Sequence, residues 1–368
     1  MGAGAIGMLT ALALRERGYA VTLLDRKSAG QESSWAGGGI LSPLYPWHYS
    51  GAVNALARRS QQLYPALAER LLADTGVDPE LLDSGLLMLD DVASRDALPA
   101  GRVDPGVWAE EHGAVVQRIS ASEVSDVQPG IRHADENAWW MPNVMQVRNP
   151  RLVRALRAAL DVHGVHLLER VEVQALDAAH GRVRGLRVSG LAMPADAVVV
   201  TAGAWSADLL HDLGADTPCA PVIEPVRGQM MVLNAPESGL RRIVMSEGRY
   251  LIPRKDGRIL VGSTLEYAGF EKVATESARV SLHDFAVRLC PALKGVPIEA
   301  HWAGLRPGSP QGIPYIGAHP EIEGLHLHAG HFRNGLVMGP ASTELFVQGI
   351  ERETGVLDAA AYAWGAAR

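Results

Sequence analysis

Three glycines within the first seven residues constrain this chain more than anything that follows them. Gly2, Gly4 and Gly7 form G-x-G-x-x-G, an apolar-periodic run continues over about residues 5–17, and Val21-Thr-Leu-Leu-Asp25 ends the unit as a short strand closed by an acid. Each part suits a dinucleotide. Gly2 makes the tight turn, Gly4 lets the backbone approach a pyrophosphate, and Gly7, with Ala5 and Ile6 beside it, lets the helix pack on its strand. The helix N-terminus offers unpaired N–H groups and the positive end of its dipole to the phosphates. Asp25 stands where a carboxylate accepts hydrogen bonds from a ribose hydroxyl. The spacing predicts a doubly wound α/β unit. One part is absent: a central strand normally precedes the first glycine, and here only Met1 does. Neighbours of an absent central strand carry unpaired backbone groups. The expectation is a weaker nucleotide site, or a strand supplied some other way.

The 368 residues, 47% of them hydrophobic, can bury a large core and suggest two domains. The net charge of -7 is mild and no Lys/Arg run stands out, which argues against a nucleic-acid partner. Cys219 and Cys290 have no metal or redox spacing and read as reduced thiols of a cytoplasmic protein without a metal site. Residues 2–14 imitate a signal peptide, but no basic segment precedes them and their glycines keep the nucleotide-binding spacing. No apolar run is long enough for a bilayer, so no membrane partner is expected.

Beyond Asp25, Glu32-Ser33-Ser34-Trp35-Ala36-Gly37-Gly38-Gly39 makes a loop rich in N–H and hydroxyl donors. Such a loop suits a phosphate or a flat ring, and Trp35 with Ile40-Leu41 gives it anchors that a linker lacks. Residues 51–75 read as a helix stopped by Gly76. Residues 85–90 read as a strand, 91–113 as surface, 120–124 as a helix start with Ser122 as N-cap, and 138–141 as a short strand. Asn149-Pro150 opens a helix; residues 165–168 and 171–173 are strand-like. Ala197-Val-Val-Val-Thr-Ala-Gly203 is a buried-strand run whose small carboxyl end suits a cofactor crevice. From Pro221 the pattern turns to β. Residues 227–233 form a strand, and Tyr250–Arg254 and 258–261 flank Lys255-Asp256-Gly257, a hairpin signal that implies an antiparallel sheet. Alternation places Tyr250 and Ile252 on one face. Arg306 lies between a strand and a proline turn, and His331-Phe-Arg333-Asn-Gly335-Leu leads into a helix ending near Arg352. The dipole of that helix suits negative charge, and both arginines suit a carboxylate.

These segments occur in a familiar order. G-A-G-A-I-G, S-S-W-A-G-G-G-I-L-S-P-L-Y-P-W, V-R-N-P-R-L, T-A-G-A-W-S, P-V-R-G-Q-M, R-Y-L-I-P-R, V-G-S-T-L-E, W-A-G-L-R-P-G-S-P-Q-G-I-P-Y-I-G and G-H-F-R-N-G-L together resemble the D-amino-acid oxidase superfamily of FAD enzymes, and within it the glycine oxidase family of thiamine biosynthesis. The resemblance implies an α/β fold with an FAD-binding, Rossmann-like domain of the glutathione-reductase type (1–75, 145–218 and 303–368). A substrate domain with an antiparallel sheet (76–144 and 219–302) lies over it. It implies that Tyr250 and Arg306 hold the substrate carboxylate and that Arg333 is the second arginine of the site. It places Gly2, Gly4, Ala5, Ile6, Gly7 and Asp25 in the ADP-binding unit, and Glu32, Ser33, Ala36, Gly37 and Gly38 beside the flavin. Val173 would contact the adenine through its backbone. Gly203 would join the cofactor crevice, and His331, Phe332, Arg333, Asn334, Gly335, Leu336 and Val337 would lie under the ring. Leu265 and Gly248 depart from residues that some relatives carry. With no cysteine placed for a flavin bond, the FAD would be non-covalent. The implied reaction oxidises glycine with oxygen to glyoxylate, ammonia and hydrogen peroxide. A homotetramer and a thiazole synthase partner are implied with it. Sarcosine or small D-amino acids as substrates, a dehydrogenase of the same superfamily, and a non-catalytic protein with a damaged nucleotide site remain open on sequence alone.

Overall fold

The computed structural model describes residues 1–89, 103–133 and 138–368. The Ala5–Glu16 helix follows Gly4 directly, and the parallel pair Thr22–Asp25 with His166–Glu169 lies beside it. Val198–Val200 pairs in parallel with Leu325–Ala329, which pairs antiparallel with Tyr315–Ala318. Between Thr22–Asp25 and Val198–Val200, the place of a central strand is held by Met1 and Gly2 alone. Gly2 N–H donates to Leu24 O (2.7 Å), the Met1 amine to Val199 O (2.6 Å), and Thr201 N–H to Met1 O (2.8 Å). No other described element takes that position. Four helices, Ala5–Glu16, Gly51–Thr75, Asn149–Val162 and Gly335–Glu351, close one apolar core with Met8, Leu56, Tyr64, Leu156, Met338 and Phe346 inside it. Gly76 ends the long helix at φ 68°, the left-handed turn its position predicts.

An eight-stranded sheet carries the rest. Its order is Ile298–Gly308, Glu224–Asn234, Arg258–Gly262, Arg249–Pro253, Ile243–Ser246, Leu86–Met88, Ala138–Met141 and Gln117–Ile119. The predicted hairpin is there: Arg249–Pro253 pairs antiparallel with Arg258–Gly262 across the Asp256-Gly257 turn. The sheet is mixed rather than wholly antiparallel, because Ile243–Ser246 pairs in parallel with Leu86–Met88. Those strands are far apart in sequence and need no tight turn between them. Tyr250 and Ile252 do share a face, packed with Trp47, Trp108 and Met230. Leu251 faces the other way, toward Phe285 of the Glu276–Leu289 helix. The Ile298–Gly308 strand runs through position 303 without a break.

Three local expectations are corrected. Within the stretch read as surface, Pro105–His112 is a helix. Asp104 caps it by accepting from the Gly106 and Val107 N–H groups, and Trp108 is drawn inward onto Trp47, with ring centres 6.2 Å apart. Positions 91–102 of that stretch, and Asp90, lie outside the described residues. Ser120, not Ser122, caps the Ala121–Val127 helix, because Glu123 lies three residues on and completes a capping box with it. The strand expected from Val171 begins only at Val173.

Candidate functional site

A cavity of about 410 Å³ runs from the N-terminal glycine turn to the eight-stranded sheet. Its first end is built from main chain. Gly2 lines it at φ 100°, where a Cβ would stand 2.5 Å from Thr201 O. Gly7 lies behind the wall: a Cβ there would stand 1.9 Å from Gly2 O, so its role is the close packing its place in the motif predicts. Gly4, Ala5, Ile6 and Asp25 line the cavity. Asp25 also holds the turn, its two carboxylate oxygens accepting from Ala3 N–H and Lys27 N–H, each at 2.8 Å. Val173 and Gly203 line the same end. So does Trp205, with the Arg26 guanidinium 4.7 Å above its ring, a pair the sequence reading missed.

The loop after Asp25 is anchored, as its apolar residues suggest. Trp35 packs edge-on against Trp302 at 5.3 Å, and Trp302 Nε1 donates to Ala36 O (3.0 Å). Ala36 therefore faces the sheet and is not part of the cavity wall, whereas Glu32, Ser33, Gly37 and Gly38 are. Glu32 is taken up by Lys27 (2.9 Å) and Lys272 (2.6 Å). Burial pushes its pKa up, but Lys272 and Lys27 together hold it below the usual carboxylate value. Two residues that the sequence reading gave no site role, the half-buried Arg254 and the buried Asn149, brace the loop from behind. Arg254 donates to Gly38 O (2.8 Å), and Asn149 Nδ2 to Ser34 O (2.8 Å). Burial lowers the Arg254 pKa to about 10. Both stand inside recognisable segments, R-Y-L-I-P-R and V-R-N-P-R-L, but only tertiary contact shows what they hold.

At the middle of the cavity, residues 331–337 all line the wall, and the N-terminus of the Gly335–Glu351 helix opens there. Asn334 Nδ2 is buried there without a hydrogen-bond partner. Two histidines are fixed in neutral form. Thr10 Oγ1 donates to Ile6 O (2.7 Å), so His328 Nδ1 must donate to Thr10 Oγ1 (2.9 Å). Ser342 Oγ donates to Gly339 O (3.0 Å), so His331 Nε2 must donate to Ser342 Oγ (3.0 Å). Burial pushes the His331 pKa down to about 3 and that of His328 well below its ordinary value. Neither ring adds positive charge to the wall at neutral pH.

The far end is built from side chains. Arg306 reaches across the Glu224–Asn234 strand, where Gly228 leaves room for it: a Cβ at 228 would stand 2.2 Å from Arg306 Nη1. Nη1 donates to Arg227 O (3.4 Å) and Thr264 O (3.2 Å), and Nη2 to Ser263 Oγ (2.7 Å). Desolvation lowers the Arg306 pKa, Tyr250 works in the opposite direction, and Arg333 adds to the lowering. Tyr250, Arg306 and Arg333 all line the cavity, so the structure brings together the three residues the sequence singled out. Arg333 makes no hydrogen bond or ion pair among the described residues, and Arg306 bonds only to neutral oxygens. Leu265 and Gly248 do not line the cavity. Neither do Cys219 and Cys290, which are unpaired.

The donor set fits a flavin dinucleotide. A glycine turn opens onto one helix N-terminus, an acid flanks that turn, and a second helix N-terminus with the unpartnered Asn334 amide faces the other part of the same cavity. Fold and cavity thus define a dinucleotide-binding protein. The family model for FAD dependent oxidoreductases (DAO) matches residues 1–348, and the chain belongs to that family. It is 47% identical over 364 residues to a glycine oxidase of Pseudomonas putida, covering 99% of this chain and 96% of the relative. The crystal structure of glycine oxidase from Geobacillus kaustophilus superposes with a TM-score of 0.88 at 30% identity, covering 99% of this chain and 96% of the other. A protein of Trichormus variabilis named bifunctional protein ThiO/ThiG is 31% identical over 94% of this chain and 51% of its own length.

Proposed function

We propose that the chain oxidises a small amino acid at its carbon–nitrogen bond, with glycine as substrate: glycine, oxygen and water give glyoxylate, ammonia and hydrogen peroxide. The observation that carries this reading is the pair of guanidiniums, Arg306 and Arg333, on one cavity wall without a carboxylate partner among the described residues. Two cations that repel each other call for an anion, and an arginine fork matches a carboxylate. Arg306 would grip the acid end and Tyr250 would add its hydroxyl. Fixing the acid end in a site built for it sets the position of the α-carbon, which is an orientation effect. FAD, when bound, supplies the two-electron acceptor and the route to oxygen. The wall of residues 331–337 and the braced Gly37–Gly39 loop would hold it, and the neutral histidines keep the charge of that wall unchanged near neutrality.

The glycine oxidases among the relatives support glycine over larger substrates. The relative named ThiO/ThiG supports a place in thiamine biosynthesis with a thiazole synthase as partner. A homo-oligomer and a cytoplasmic location complete the reading. No helix among the described residues is long and apolar enough to cross a membrane. The test is a peroxide assay of the purified protein on glycine, sarcosine, D-alanine and D-proline, with and without added FAD. Peroxide formed fastest from glycine is the expected result. A protein that binds FAD and makes no peroxide from any of the four overturns the oxidase reading.

A further inference from the structure

Ser263 belongs to neither the glycine motif nor the arginine pair, yet its placement gives it a task. It follows the Arg258–Gly262 strand, lines the cavity and is only 7% exposed. Arg306 Nη2 donates to its Oγ at 2.7 Å. That bond occupies a lone pair of the oxygen and leaves the hydroxyl hydrogen to point elsewhere. No acceptor among the described residues takes it, although the hydroxyl is nearly buried and such groups are normally satisfied. The bond also polarises the hydroxyl, because an oxygen that accepts from a cation becomes a stronger donor. Arg306 itself has donors left. Nη1 is taken by two carbonyl oxygens, so Nε–H and the second hydrogen of Nη2 remain. The guanidinium edge, which interacts with the Tyr250 hydroxyl, and the serine hydroxyl are therefore adjacent on the cavity wall, and the serine hydrogen has no acceptor among the described residues.

We infer that Ser263 donates its hydroxyl hydrogen to the carboxylate of the bound substrate, beside the Arg306 fork, and so helps select ligands that carry a free acid group. The inference rests on the reading of Arg306 as the carboxylate anchor. A carboxylate has lone pairs enough to accept from Arg306, Tyr250 and Ser263 together. A hydrogen bond to a charged group contributes more than a neutral one, which corresponds to a change of about ten-fold or more in affinity.

Acetate is the probe, a carboxylate without an amine to oxidise. It is titrated into the FAD-loaded protein, and binding is read from the change in flavin absorbance. Ser263→Ala is expected to raise the acetate Kd and the glycine KM about ten-fold or more, with kcat and the absorbance of the unliganded protein little changed. Ser263→Thr keeps the hydroxyl and is expected to restore most of the affinity. If Ser263→Ala binds acetate as the parent does, the inference is overturned. If Ser263→Ala lowers kcat without raising the acetate Kd, the serine acts on the reaction and not on the carboxylate, and the inference is likewise overturned. Arg306→Lys in the same titration separates the two levels. Weakened acetate binding there with none in Ser263→Ala removes the serine contact alone. Unchanged binding in Arg306→Lys removes the reading of the anchor itself.

Discussion

At the glycine end of the cavity the wall is mostly main chain: a turn, one helix N-terminus, and carbonyls held by Arg254 and Asn149. At the sheet end it is side chains, Tyr250, Ser263 and Arg306, delivered by strands and a loop that meet only in the folded sheet. The two ends therefore fail differently. A main-chain site is lost when a side chain is added where none fits. A side-chain site is lost when a functional group is removed, and its scaffold survives.

The largest expected effect tests the side-chain end. Arg306→Ala removes the guanidinium and should lower kcat/KM for glycine by roughly 3–5 kcal/mol in transition-state binding, while flavin stays bound at the parent level. Loss of flavin together with activity would show that the two ends are not separable. Next comes the main-chain end. Gly7→Ala places a Cβ 1.9 Å from Gly2 O, where neither backbone can yield cheaply. It should destabilise the protein by about 3 kcal/mol and give colourless preparations, as read by urea unfolding and by absorbance. A yellow, stable Gly7→Ala protein would break the claim that the glycine spacing is a packing requirement.

A smaller effect lies at the join between the ends. The folded-state pKa of His331 is about 3, below the ordinary value of a free histidine. A lowered folded pKa means that the unfolded chain binds the proton first. Stability from this group is complete above about pH 6.5 and falls as the pH drops toward 3. The slope is about 1.4 kcal/mol per pH unit, or about 2 kcal/mol between pH 6.5 and 5. Urea unfolding at those two pH values should show the loss, and His331→Asn should remove one proton from the slope.

How far each end was legible in the sequence follows from the same distinction. The glycine spacing, Asp25 and the G-H-F-R-N-G-L turn encode backbone shapes locally, so a linear reading finds them. Gly76 and the Asp256-Gly257 hairpin were legible for that reason as well. The Pro105–His112 helix was hidden among prolines, glycines and charges, since only its contact with Trp47 shows that Trp108 is buried. Tyr250, Arg306 and Arg333 stand out by residue type, but their joint place in one site came from family resemblance, because nothing in their spacing says that they share a wall. Ser263, Gly228, Arg254 and Asn149 were not singled out as site residues. Each acts on a residue distant in sequence, as Arg254 does on Gly38, and no local period records such a pairing.

The smallest effect concerns an ion pair between the glycine loop and the chain beyond the Arg258–Gly262 strand. Lys272, on the segment between the Arg258–Gly262 strand and the Glu276–Leu289 helix, meets Glu32 of the glycine loop at 2.6 Å. The two side chains are 33% and 26% exposed, so solvent and salt screen the pair, and exposed pairs of this kind contribute about 1 kcal/mol or less. Glu32 keeps Lys27 at 2.9 Å when Lys272 is gone, so Lys272→Met leaves no uncompensated carboxylate. The expected result is a rise in the FAD Kd of no more than about five-fold, measured by flavin fluorescence at low ionic strength and vanishing in molar salt. A rise well beyond ten-fold that persists in salt would mean that the Lys272 segment clasps the cofactor directly. The main-chain end would then owe its grip on the cofactor to a charged side chain, and the division between the two ends would have to be redrawn.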